Sequence, residues 1–217
     1  MEFADITKDV RDRATKMKYA KVLDVGSFDS IIRQYNTLKE LSSRNWRLVK
    51  LKLSILFICT GNICRSPMAE GLFRKLQKNS ELDIEVQSAG VSTFGGQQPS
   101  KHTLDILNDE GIDLSKNKSQ TLSSNLIGEV SYIFAMSSSH IMAIENMFPE
   151  AIEKTFLVTE FCDNHSIRST DVPDPYGGSR KEYEHTKELL NVSLPGLLKF
   201  LETKIWTFFK CQSNNQY

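Results

Sequence analysis

The sequence predicts an α/β fold: a doubly wound, four-stranded parallel sheet flanked by helices, preceded by a partly helical N-terminal extension. Three observations predict it. From residue 51 onward, short apolar runs alternate with longer stretches of helical spacing. Gly and Pro residues punctuate the junctions between them. A cysteine-to-arginine loop closes the first apolar run, and doubly wound sheets carry their sites at the carboxyl ends of strands.

The elements follow in order. Phe28, Ile31, Ile32, Tyr35, Leu38 and Leu41 have helical spacing, which predicts a short amphipathic helix near residues 28–42. No chemical motif lies in residues 1–50, so these are read as an extension with an unknown partner. Leu51, Leu53, Ile55 and Phe57 alternate with Lys52, Ser54, Leu56 and Ile58. The pattern starts as a half-buried strand and ends as a fully buried one, as a central parallel strand does. A helix is expected at about 67–79, with Pro67 in its first turn, where a missing N–H does no harm. I-E-V-Q-S-A at 84–89 reads as a second strand closed by Gly90. Gly95, Gly96 and Pro99 mark a loop, and residues 101–110 a helix ended by Gly111. Y-I-F-A-M at 132–136 predicts a third strand, followed by a helix from Ser138 to about Met147 that Pro149 breaks. T-F-L-V at 155–158 predicts the fourth strand. A final helix spans about 179–204, and residues 205–217 form a tail. One folded domain is therefore expected over residues 51–204.

The cysteine loop reads C-T-G-N-I-C-R-S at 59–66. Five residues between Cys59 and Arg65 let the chain curl so that backbone N–H groups point inward. A tetrahedral oxyanion fits such a ring, and the following helix adds its positive N-terminal end. Arg65 has the planar fork to hold two oxygens of the anion. Cys59 lies beneath, where the ring and Arg65 favour thiolate over thiol. A second motif, T-D-V-P-D-P-Y-G-G at 170–178, sets Asp174 on a proline-bracketed turn. Alone it is an ordinary turn. Beside the cysteine loop it supplies the proton donor that a leaving oxygen needs.

Composition narrows the function. The chain has 217 residues, 40% of them hydrophobic, enough for one good core. Formal net charge is zero, so no overall charge draws it to nucleic acid or a membrane surface. Lys and Arg outnumber Asp and Glu in residues 1–52, and the reverse holds afterwards. No apolar stretch approaches the roughly 20 residues that span a membrane. Four cysteines without a secretory leader suit a reducing, cytoplasmic setting. His102, His140, His165 and His185 show no metal-ligand spacing, so no metal or other cofactor is expected.

With these residues in view, the chain resembles the low-molecular-weight protein tyrosine phosphatase family over about residues 51–204. The matching text is L-F-I-C-T-G-N-I-C-R-S-P-M-A-E at 56–70, S-A-G at 88–90, G-I-D-L-S at 111–115 and D-P-Y-G-G at 174–178. The resemblance implies a four-stranded parallel sheet, consistent with the reading above. It implies Cys59 as the nucleophile that becomes phosphorylated, Arg65 as the clamp on the equatorial oxygens, and Asp174 as the acid and then the base. Thr60, Gly61, Asn62, Ile63, Cys64 and Ser66 would line the substrate phosphate. Asn62, Ser66 and Ser88 would hold the loop by hydrogen bonds. Cys64 matches a second loop cysteine that pairs with the nucleophile on oxidation, or else simply fills a tight loop. Phe94 and Tyr176 would wall the cleft, with Phe94 where many bacterial members have Trp. Two departures stand out. Ser137 occupies the place of a supporting Asp, and Gly177 that of a second aromatic residue.

Phosphotyrosine proteins or small aryl phosphates are the expected substrates. The alternative is the related arginine phosphatase branch, which shares C-T-G-N but typically carries Thr at the position of Ile63. An apolar Ile63 better suits a flat aromatic leaving group. Arsenate reductase on the same fold needs further redox cysteines downstream, and residues 65–161 contain none. A non-catalytic phospho-binding protein would need neither Cys59 nor Asp174.

Overall fold

The computed structural model describes residues 53–80, 82 and 84–213, with side chains as far as Lys204. The helix expected near 28–42 and the strand residues Leu51 and Lys52 lie outside them.

Four parallel strands form the sheet: β1 (Leu53–Cys59), β2 (Ile84–Gly90), β3 (Tyr132–Ala135) and β4 (Thr155–Leu157). Their order is β2-β1-β3-β4. Chain order therefore reverses across β1, which pairs with β2 on one side and β3 on the other. The crevice outside the carboxyl ends of β1 and β3 is the switch point where doubly wound sheets bind ligands.

Side-chain alternation divides the core. Leu53, Ile55, Phe57 and Cys59 of β1 pack on one face with Met68, Leu72 and Phe73 of α1 (Arg65–Leu76), Ile106 and Leu107 of α2 (Lys101–Asp109), and Leu190, Leu194, Leu197 and Leu201 of α5 (Arg180–Ser213). Leu56 and Ile58 face the other way, onto Leu126 and Ile127 of α3 (Ser124–Glu129) and Ile144 of α4 (Ser138–Met147). A period of two along the strand delivers one apolar row to each layer of helices.

Several elements depart from expectation. β1 is buried throughout its described length, Ser54 included, because both neighbouring strands and both helical layers cover it. α1 starts at Arg65, two residues earlier than expected, since the loop delivers Arg65 directly into helical geometry. Helix α3 was not expected. It is only six residues long, capped by the Ser123 hydroxyl, which accepts from Leu126 N–H at 3.3 Å. Its short apolar pair gives too weak a period to read. α5 continues past 204 to Ser213, through Pro195. Gly111 does end its helix as expected. It takes φ +72°, and Ile112 N–H closes onto Leu107 O at 2.8 Å.

Candidate active site

Cys59 is the last residue of the central strand, and its sulfur is buried at the floor of the loop. The chain turns sharply three residues on, where Asn62 takes φ +54°, a left-handed conformation that Asn tolerates. That turn aims Asn62 N–H at Cys59 Sγ, 3.3 Å away. Ser66 Oγ lies 3.0 Å from the same sulfur. Cys64 caps α1 without a side-chain bond, so no cap side chain takes up the first N–H groups of the helix.

The strained turn is held from three sides. Asn62 Nδ2 donates to Ser66 Oγ at 2.9 Å and to Ser88 Oγ at 2.8 Å. Its Oδ1 accepts from Gln120 N–H at 2.9 Å. Ser88 passes the tie onward, donating to Glu70 Oε2 at 2.5 Å. Burial pushes the Glu70 carboxyl up, while Ser88, Arg74 and Asn117 oppose that by binding its charged form. Gly90 completes the frame by having no side chain. A Cβ there would lie 2.6 Å from Thr60 O and 3.1 Å from Asn62 N. Ser88 and Gly90 of the S-A-G text thus serve one end: the first bonds the loop and the second lets it approach β2.

Arg65 joins this loop to the acid loop. Its side chain is 6% exposed. One terminal nitrogen donates to Val172 O at 3.2 Å, and the other to Asp174 Oδ2 at 2.7 Å. Its Nε is buried without a partner among the described residues, leaving that donor for an anion in the loop. Asp174 Oδ1 accepts Tyr176 N–H at 3.2 Å, the one-residue-apart turn that places Tyr176 beside the carboxylate. Asp171 has a different task. Its Oδ1 caps α4, accepting both N–H and Oγ–H of Ser138 at 2.8 Å.

The remaining expected residues fall as follows. Thr60 Oγ1 lies 2.9 Å from His140 Nε2. Gly61 sits beside the Ile63 side chain, which is partly buried against the core. The segment bearing Phe94 is stitched to both ends of the loop: Ser92 N–H donates to Thr60 O at 3.0 Å and Ser100 N–H to Ile63 O at 2.8 Å. Phe94 itself is fully exposed, and Tyr176 largely so. Cys64 is buried, its sulfur 3.2 Å from Tyr183 OH and 3.6 Å from Ser100 Oγ. Burial first, and nearby negative charge after it, push its thiol up. Among the described residues, no cluster of His, Cys, Asp or Glu could hold a metal ion, and no helix is long and apolar enough to cross a membrane.

Sequence reading missed Glu70, Gln120, Tyr183 and His140. Glu70 was inside the matching text, but nothing marked a helical Glu as buried. The sequence marks His140 only as a histidine without metal-ligand spacing. Its better signal was position, at the start of the helix that follows β3, beside the switch point.

Comparison with known proteins agrees with this geometry. The pattern that defines the low molecular weight phosphotyrosine protein phosphatases matches residues 54–206. A protein-arginine-phosphatase of Geobacillus stearothermophilus is 37% identical over 151 residues, 69% of this chain and 97% of the relative. A low molecular weight protein-tyrosine-phosphatase, PtpA, of Staphylococcus saprophyticus is 34% identical over 69% of this chain and 94% of its own length. Among solved structures, a YwlE arginine phosphatase mutant, with serine in place of a cysteine and its active-site serine phosphorylated, matches at TM-score 0.65 and 33% identity, covering 69% of this chain and 96% of that one. With its loop, its sheet and its relatives in agreement, the chain belongs to the low molecular weight phosphotyrosine protein phosphatase family and is a hydrolase.

Proposed function

We propose that the enzyme hydrolyses phosphotyrosine in proteins, and small aryl phosphates, through a phosphocysteine intermediate. Cys59 thiolate attacks phosphorus while the bond to the leaving oxygen breaks, and Asp174 gives that oxygen its proton. Water then attacks the phosphocysteine, Asp174 takes a proton from it, and inorganic phosphate leaves with Cys59 restored as thiolate. Arg65 and the loop N–H groups hold the three equatorial oxygens throughout. The contact of Cys59 Sγ with Asn62 N–H, inside a loop that Arg65 closes, carries this reading. The solved relative with a phosphorylated active-site serine supports a covalent path. A thiolate nucleophile also fits the reducing conditions of the cytoplasm.

Tyrosine is favoured over arginine by the mouth of the site. Ile63 is apolar, and the exposed rings of Phe94 and Tyr176 rise from segments bonded to the two loops. A flat ring between apolar walls suits an aryl ester better than a guanidinium. The second reading, phosphoarginine, rests on the 37% identity to a protein-arginine-phosphatase. Arsenate reduction gains no support: Cys162, the first cysteine after the loop, is buried with its sulfur 3.5 Å from Val192 O. Specificity constants on matched phosphotyrosine, phosphoserine and phosphoarginine peptides test the assignment. The expected order places phosphotyrosine first. A higher constant for phosphoarginine would replace it with the second reading.

A further inference from the structure

The tract Ser137-Ser138-Ser139-His140 opens α4 at the carboxyl end of β3. It touches both catalytic loops. Toward the acid loop, Ser138 donates twice to Asp171, and Val172 N–H donates to Met136 O at 2.8 Å. Toward the phosphate loop, His140 Nε2 meets Thr60 Oγ1 at 2.9 Å. The other ring nitrogen, Nδ1, lies 2.6 Å from Ser137 Oγ, which in turn lies 2.8 Å from Ser139 Oγ. The ring is buried, and both its nitrogens are engaged. Nothing in the hydrolysis derived above uses it.

Thr60 is the residue next to the nucleophile. Its carbonyl is held by Ser92 N–H on one side. Its hydroxyl is held by His140, and by no other side chain among the described residues. Rotation of residue 60 would swing the start of the loop and the sulfur before it. The Ser137–His140 pair reaches the loop from the same helix start.

We propose that His140 is a positioning residue of the phosphate loop, which orients Thr60 through Nε2 and is itself oriented by Ser137 through Nδ1. The role rests on the phosphatase reading of the site. Arg65 of α1 and Asp171 and Asp174 of the acid loop are the charged groups that face the ring. A neutral imidazole can support the loop without competing with Arg65 for the substrate anion.

The test measures kcat and KM on para-nitrophenyl phosphate for the full-length protein and three variants, with folding checked by circular dichroism. His140→Ala is expected to lower kcat/KM about tenfold, the scale of one lost hydrogen bond. His140→Gln extends an amide toward the Nε2 position and is expected to recover most of the loss. Thr60→Val deletes the partner and is expected to match His140→Ala. Combining Thr60→Val with His140→Ala is expected to cost no more than either alone. Folded His140→Ala with full activity would overturn the proposal, and so would additive losses or a Gln variant no better than Ala. If His140→Ala does not fold, Thr60→Val decides: undiminished activity there overturns the role. No turnover by the unsubstituted protein would instead overturn the phosphatase reading beneath it.

Discussion

Arg65 and Asp174 form one ion pair, but the arginine side chain is 6% exposed and the aspartate 50%. That difference runs through the two loops they belong to. The phosphate loop is buried at Cys59, Asn62 and Cys64 to Ser66, and it is over-determined. Asn62 alone is held by Ser66, Ser88 and Gln120, and Ser88 is anchored in turn by Glu70. The acid loop lies on the surface. Its carboxylate has Arg65 and one turn N–H as partners, and its prolines supply the stiffness that burial does not. In the proposed reaction the phosphate loop must hold donors still around an anion, whereas the acid must meet a leaving group that arrives with the substrate. Rigidity sits where charge develops, and exposure where the substrate enters.

Cys59→Ser strikes the buried half and should have the largest effect. Turnover should be abolished while the fold and inorganic phosphate binding persist. A serine hydroxyl is far less acidic than a thiol, but the ring of N–H groups and Arg65 remains. Phosphate release and isothermal titration with inorganic phosphate check both halves of the expectation. Appreciable residual hydrolysis would remove Cys59 from the nucleophile's role.

Asp174→Asn strikes the exposed half. It should slow aryl phosphate hydrolysis by roughly 10²–10⁴, the range for a positioned acid and base. Asp171→Asn should cost much less, because that carboxylate caps α4 instead of facing the phosphate loop. The loss at Asp174 should shrink for very good leaving groups when phosphoenzyme formation is the step measured. A larger defect at Asp171 would mean that the wrong aspartate has been placed in the chemistry.

The same contrast explains what could be read in advance. That Arg65 joins the Cys59 loop to the Asp174 turn was legible because chemistry constrains their spacing or their turn. The strands were legible because a central parallel strand must be apolar on both faces. The supports of the phosphate loop were less so. Ser88 came with the S-A-G text, but Gln120 and His140 reach the loop from distant parts of the chain, and Glu70, close in sequence, reaches it only through Ser88. Their roles depend on sheet order and register, which no local pattern carries. Helix α3 escaped for a different reason, having too few residues to display a period.

Burial around the phosphate loop should also be visible in acid stability. Burial, and Arg65 after it, hold the imidazole of His140 down to about 4. In the unfolded chain the ring titrates near ~6.5. Between those values the unfolded state binds more protons, so this group makes stability rise with pH. Its contribution is lost as pH falls from about 6.5 towards 4 and changes little below that. His140→Gln has no such group. Its melting temperature should therefore fall less than that of the natural protein between pH 7 and 4.5. Equal acid sensitivity in the two proteins would show that the ring does not titrate in this way.

The smallest effect concerns which substrate the mouth accepts. Ile63 belongs to the phosphate loop and is only partly buried, packed against the core, which leaves part of its apolar side chain open. Its Cγ1 stands beside Gly61, which has no side chain to cover it. Thr would keep the β-branch, so the loop backbone should hold. It would exchange apolar surface for a hydroxyl that can bond a guanidinium N–H. Ile63→Thr should therefore shift the ratio of specificity constants from phosphotyrosine towards phosphoarginine by roughly tenfold, as loss of one small apolar contact does. The shift should lie in the ratio, with turnover of para-nitrophenyl phosphate changing less. An unchanged ratio would move selectivity out of the phosphate loop and onto the exposed rings of Phe94 and Tyr176. Phe94→Ala and Tyr176→Ala would then carry the loss of phosphotyrosine preference.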